Sequence, residues 1–222
     1  MDLPLRFLTE VGTRTFLRIY WGDCCGSSGR GYHNAEMHLG DSDKLGDWEM
    51  GGKPSDYAND RWPTTCGACG AGVPPTPDPV PCDCGVPGCT KLPDDAPRRS
   101  IHHRRMYRAP AGEVIDRPVP GDVYIGTGYH YDLPQCPTWD NCDGRHIVVV
   151  TPDGHDWDTS GRARNCGLPD DRTHRCWVLH GTAEQPNTLH VDKAGHTCNA
   201  GAGSIDTGKW HGFLHGGKLT PC

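Results

Sequence analysis

The stretch PTTCGACGAGVPPTPDPVPCDCGVPGCTKLPDDAP, residues 63–97, sets the tightest condition on the fold. Most of its positions are Pro, Gly, Cys or small polar residues, and large apolar side chains are nearly missing. Such a segment buries too little surface to offset the entropy of ordering it. It stays a flexible linker unless bonds to sulfur hold it. Cys66, Cys69, Cys82, Cys84 and Cys89 fall inside it, in the spacing C-x2-C-x12-C-x-C-x4-C.

Zinc wants four ligands in a tetrahedron, and two knuckles of two thiolates each meet that need. CGACG fits one knuckle, because the glycine after the second cysteine lets the chain turn with N–H groups facing sulfur. CDCGVPGC offers three sulfurs for the two remaining positions. The spacing therefore predicts a structural zinc on Cys66, Cys69, Cys84 and Cys89, with Cys82 spare or in place of Cys84. A site closed by four thiolates is structural rather than catalytic. Disulfides are the alternative. A thioredoxin-like redox pair fits less well, since no βαβ pattern surrounds CGAC.

The rest of the chain has the same need for staples. Gly (30) and Pro (20) are abundant among 222 residues, and only 35% are apolar. This composition argues against long helices and for short strands and turns. The 13 cysteines are an odd number, so at least one thiol stands outside any complete set of intrachain disulfides. The formal net charge of −6 gives no reason to expect general nucleic-acid affinity. RRSIHHRRMYR, residues 98–108, reads as a solvated loop balancing the acidic PDDAP before it, with phosphate contact as the rival reading. The N-terminal residues lack the basic start and long apolar core of a signal peptide, and no apolar run has the length of a membrane helix. The expectation is synthesis in a reducing cytosol, where clustered cysteines are more often metal ligands than disulfides.

Along the chain, TFLRIYW reads as a strand, and residues 31–60 show no clear element. GDVYIGTGYHY, HRCWVLHG, NTLHVDKAG and WHGFLHGGKLT read as short strands. RHIVVVTPDGHDWDT reads as a hairpin about a PDG turn. The expected fold is mostly β: a small barrel or sandwich with a loop-rich zinc-knuckle segment and little helix. The expected regions are a strand and loop region at 1–62, the Pro/Gly-rich knuckle segment at 63–112, and a β domain at 113–222.

The remaining cysteines allow several readings. Cys166, His174, Cys176 and Cys198 are candidates for a second zinc site, with a Cys136–Cys142 disulfide or plain burial as alternatives. Cys24 and Cys25 are candidate ligands for either cluster, together with His33 or His38, with a plain loop as the alternative. A cysteine nucleophile needs a base and a group to orient it. Cys198, ahead of the glycine-rich AGAGS, with His211 and Asp206 is one candidate set, and Cys166 with His174 is another. Asp156 and Asp158 alternate about Trp157 and would share a strand face, where a hard cation can bind. Tight turns and chance proximity account for these pairs equally well, so the sequence leans away from an enzyme.

Several stretches carry a resemblance: RWPTTCGACG, VVVTPDGHDWDTSGRARNC, HRCWVLHG, VDKAGHTCNAGAGSI and HGFLHGGKL. In their order and texture they resemble an uncharacterised family of bacteriophage and prophage proteins. The resemblance implies a chain made in the host cytoplasm and available for assembly into the virion. Its partners would be other phage structural proteins or further copies of itself. The resulting expectation is a zinc-stabilised structural or interaction component, such as a capsid decoration, neck or tail accessory protein. A phage enzyme using a metal-bound water or a Cys/His pair, and a host-directed inhibitor that binds a protein, are the alternatives.

Overall fold

The computed structural model describes residues 2–22, 32–45, 54, 57–84, 86–126, 146–159, 161–168, 176–192 and 203–222. The protein is mostly strand with almost no helix, as its composition implies. In chain order the first strands are β1 (Leu3–Pro4), β2 (Arg6–Phe7), β3 (Thr9–Trp21), β4 (His33–Ser42), β5 (Val80–Pro81), β6 (Thr90–Lys91), β7 (Arg98–Arg108) and β8 (Val114–Ile115). They are followed by β9 (Asp122–Gly126), β10 (His146–Val150), β11 (Asp156–Asp158), β12 (Val178–Thr182), β13 (Gln185–Asp192), β14 (Ile205–Asp206), β15 (His211–His215) and β16 (Lys218–Pro221). Among the described residues no helix is long and apolar enough to cross a membrane.

Two compact units divide the chain. One is Gly12–Arg105; the other joins Met1–Val11 to Met106–Cys222. This differs from the three consecutive regions expected from composition. The first residues do not stand with residues 12–62, because β1 pairs with the C-terminal β16 (Leu3↔Leu219) and β2 runs parallel to β9 (Arg6↔Asp122). Pairings over such separations leave no local trace in composition.

In the unit Gly12–Arg105, β3 and β4 form a long antiparallel ribbon from Thr13↔Ser42 to Trp21↔His33. Alternation places Leu17, Ile19 and Trp21 on one face of β3, where they are buried with Ala35 of β4 and with Trp62 and Cys66. Residues 33–42, which suggested no element, form a strand because Ala35, Met37 and Leu39 alternate inward. Residues 98–108 are likewise a strand and not a loop; β7 lies beside β3 in the order β4-β3-β7-β8. Arg104 is ion-paired to Glu36, and its guanidinium lies 4.4 Å from the centroid of the Phe16 ring. Burial alone would raise the pKa of Glu36, but the hydrogen bond and charge of Arg104 outweigh it and hold the carboxyl below its usual value.

In the other unit, the strands form three small sheets ordered β1-β16-β15-β14, β11-β10-β9-β2 and β12-β13. The expected hairpin is present: β10 and β11 pair antiparallel, from Val148↔Asp158 to Val150↔Asp156. Its turn is closed by Thr151, which donates to Asp153 at 2.6 Å, with Gly154 at φ 78°. The core gathers Val123, Val149, Leu189, Val191, Leu214 and Leu219, each fully buried, around an edge-on pair of Trp157 and Trp177 with ring centroids 5.2 Å apart.

Candidate metal centres

The first centre begins with a turn. Thr65 and Gly72 form an isolated antiparallel bridge. Around it, Cys66 donates its N–H to Ala71 O at 2.7 Å and Val73 donates to Thr64 O at 2.8 Å. Inside, Gly70 at φ 76° donates to Cys66 O at 2.9 Å. This left-handed position is the reason for the glycine after Cys69. The turn is fastened to β4, because Gly67 donates to Asn34 O at 3.0 Å.

That bond brings the turn to the first residue of β4, His33. Cys69 Sγ lies 3.4 Å from His33 Nδ1. The ligand atoms of His33, Cys66 and Cys69 all lie within 4.8 Å of one another. A tetrahedral ion with Zn–S of about 2.3 Å and Zn–N of about 2.1 Å separates its donors by about 3.6–3.8 Å, so this set needs only small adjustments to hold one. The imidazole is positioned by Trp21, stacked against it with centroids 5.4 Å apart and planes 21° apart. Trp21 is itself part of the core, 7% exposed.

The electrostatics favour the ligand form. Cys66 is 3% exposed, yet its pKa is lowered to about 5. The cause is first the backbone N–H of Asn34, then those of Ala68 and Cys69, and then the His33 side chain. Three N–H donors around one sulfur stabilise thiolate, the form that binds metal.

Cys82, Cys84 and Cys89 form a separate set, their sulfurs also within 4.8 Å of one another. They cap a minimal ribbon in which β5 and β6 pair over two residues each and Cys82 donates its N–H to Cys89 O at 2.9 Å. The N–H of Val86 and then the thiols of Cys82 and Cys89 lower the pKa of Cys84, while Cys84 and Cys82 raise that of Cys89. The ribbon has no apolar core of its own; Val80, Val86 and Leu92 are exposed. A two-residue pairing of this kind is not stable alone.

The sulfurs are grouped differently from the four-thiolate set expected from spacing. Cys66 and Cys69 converge with His33, and Cys84 and Cys89 converge with Cys82. The reason lies in register: the bond from Cys82 N–H to Cys89 O closes CDCGVPGC on itself. Cys82 stands with Cys84 and Cys89 as a third possible ligand. His33 enters through the β3–β4 pairing. Both groups can hold a metal ion.

Other sequence candidates fall differently. Cys24, Cys25, Cys136, Cys142, His174 and Cys198 lie outside the described residues. Cys176 is fully buried in the core of its unit and Cys166 is packed against that core. Asp206 and His211 are directly opposed across β14 and β15. The carboxylate of Asp206 accepts from the N–H of Gly208 at 2.8 Å and lies 3.6 Å from Arg164 Nη1, so it stabilises a turn. Asp156 and Asp158 do flank a buried Trp157, and Asp158 lies 3.6 Å from His146 Nδ1. Exposed His38 lies 2.8 Å from Asp41.

No family model matches this chain, no curated protein matches it in sequence, and no solved structure matches its fold.

Proposed function

We propose that this protein is a zinc-stapled structural or protein-interaction component, in which metal bound by sulfur does the work that a larger apolar core does elsewhere. The observation that carries this reading is the position of Cys66. It is both a ligand atom of the His33–Cys66–Cys69 group and a member of the core formed by Leu17, Ile19, Trp21 and Trp62. An ion held there is part of the packing rather than the floor of a cleft. Thiolate and imidazole are the donors that zinc favours, and zinc brings no redox chemistry. The Cys82–Cys84–Cys89 ribbon extends the same logic to a segment that burial cannot hold.

The resemblance to bacteriophage proteins supports a virion as the assembly, with other phage proteins or copies of this chain as partners. Two measurements test the reading. Elemental analysis with a free-thiol count on the purified protein is expected to give bound zinc and no disulfide among Cys66, Cys69, Cys82, Cys84 and Cys89. Mass spectrometry of purified particles is expected to find the chain in stoichiometric amount. Zinc-free protein with these thiols oxidised refutes the staple, and particles without the chain refute the virion assignment.

A further inference from the structure

Zinc takes four donors, and the Cys82–Cys84–Cys89 ribbon supplies three. Among the described residues no further Cys, His, Asp or Glu ligand atom joins these sulfurs within 4.8 Å. Asp83, between two of them in sequence, is engaged elsewhere: its side chain is 92% exposed and lies 3.2 Å from Lys91 Nζ. The centre is one ligand short within the described part of the chain.

The ribbon is also short of cover. Between 78 and 92, every described residue except Cys82 and Cys89 is exposed. Val80, Val86 and Leu92 are three of the seven large apolar side chains left exposed among the described residues. Two of them sit beside the sulfurs. Alternation along the paired strand places Val80 on the face of Cys82, and the N–H of Val86 is bonded to Cys84. A pairing of two residues per strand has little stability of its own. A partner therefore contributes twice here, as a fourth donor and as a cover for apolar surface.

The chemistry of the donors selects a second copy of the chain as that partner. A thiolate sulfur has lone pairs enough to bind two zinc ions at once. Two ribbons facing across a twofold axis bring six thiolates to two ions. Each ion reaches four sulfur bonds when one sulfur from each copy bridges. Cys84 is the sulfur placed to do so, because it is exposed while Cys82 and Cys89 are half-buried. Charge does not oppose the pairing. Residues 80–92 carry one acid, Asp83, and one base, Lys91, and a twofold axis lets each face its opposite on the other copy.

We infer, on the reading of this ribbon as a zinc centre, that it is a dimerisation surface on which a second copy of the chain completes the coordination by sharing the sulfur of Cys84. The His33–Cys66–Cys69 centre takes no part, since Cys66 is packed into the core of its unit.

The test is sedimentation velocity on reduced full-length protein, with zinc analysis of the same samples. Monomer is expected in chelator and dimer with zinc, the ribbon holding one ion per chain. Val80→Ser combined with Val86→Ser removes the apolar cover without adding a charge or a strong metal donor. It should weaken dimerisation tenfold or more while zinc per chain stays at the wild-type value. Cys84→Ser, at an exposed position, should abolish the dimer. Cys69→Ser, in the other centre, should leave it intact. Protein that binds zinc at the ribbon and stays monomeric overturns the inference and leaves the zinc staple standing. Zinc content unchanged when Cys82, Cys84 and Cys89 are all replaced by serine overturns both. A dimer that persists in chelator or in Cys84→Ser, or that the paired serine changes leave at wild-type strength, also overturns the inference.

Discussion

Trp21 has two roles, and substituting it separates packing from metal binding. Its side chain is 7% exposed and its ring stacks on His33. An aromatic side chain this deep removes about 200 Å² from water, worth about 5 kcal/mol at about 25 cal/mol per Å². That figure is an upper bound, because the unfolded chain already hides part of the surface. Aromatic-to-alanine changes in cores cost about 3–5 kcal/mol, so Trp21→Ala should destabilise the unit Gly12–Arg105 by about that amount. Leu17→Ala is the control. Leu17 is fully buried in the same cluster, its loss costs about 2–5 kcal/mol, and it is not a ring partner of His33. Urea unfolding with zinc and with chelator gives two stabilities per protein, whose difference reports metal affinity through mass action. Leu17→Ala should lower both by similar amounts and preserve the difference. Trp21→Ala should also shrink the difference, by about 1.4 kcal/mol for each tenfold loss of affinity. Trp21→Phe keeps a ring and should retain most of it. A Trp21→Ala difference equal to that of wild type would refute the claim that this stack positions a metal ligand.

Other outcomes follow from the same contacts. Chelation should make Cys82, Cys84 and Cys89 reactive to a thiol reagent and raise amide exchange across 80–91, while fully buried Cys176 stays protected until its own unit unfolds; thiol mapping by mass spectrometry reads both. Gly181→Ala should lower the melting temperature of its unit, since a left-handed alanine costs about 1–2 kcal/mol before the contact with Thr188 O is counted. Burial, then the charges of Arg104 and Arg18, lowers the pKa of His102. The unfolded chain therefore takes up that proton first, so stability in chelator should fall as pH drops below about 6.5. His102→Gln should flatten that part of the pH profile.

The sequence made much of the strand content legible. VVVTPDGHDWD, HRCWVLHG and NTLHVD carry β-branched or alternating apolar residues with turn residues between them, and they form β10–β11, β12 and β13. β4 was not read from the sequence: Ala35, Met37 and Leu39 alternate, but the polar residues between them masked the pattern. β7 was hidden for a physical reason. Its arginines look solvated in one dimension, whereas the β4 carboxylate of Glu36 and the Phe16 ring hold Arg104 on a half-buried strand.

The candidate metal centres divide in the same way. C-x2-C-G marks the Cys66–Cys69 turn because that chemistry is local. His33 is not local: the antiparallel pairing of β3 and β4 brings it in. Counting sulfurs gave four ligands for one ion, whereas the Cys82–Cys89 backbone bond sorts them into two groups.

His33 is proposed to join Cys66 and Cys69 on one ion. Zinc-edge X-ray absorption on full-length protein with Cys82, Cys84 and Cys89 changed to serine, loaded with one equivalent of zinc, tests it directly. A mixed shell is expected, with sulfur at about 2.3 Å, nitrogen at about 2.0–2.1 Å and the outer-shell scattering of imidazole, the last lost in His33→Ala. An all-sulfur shell, or a spectrum that His33→Ala leaves unchanged, would contradict it.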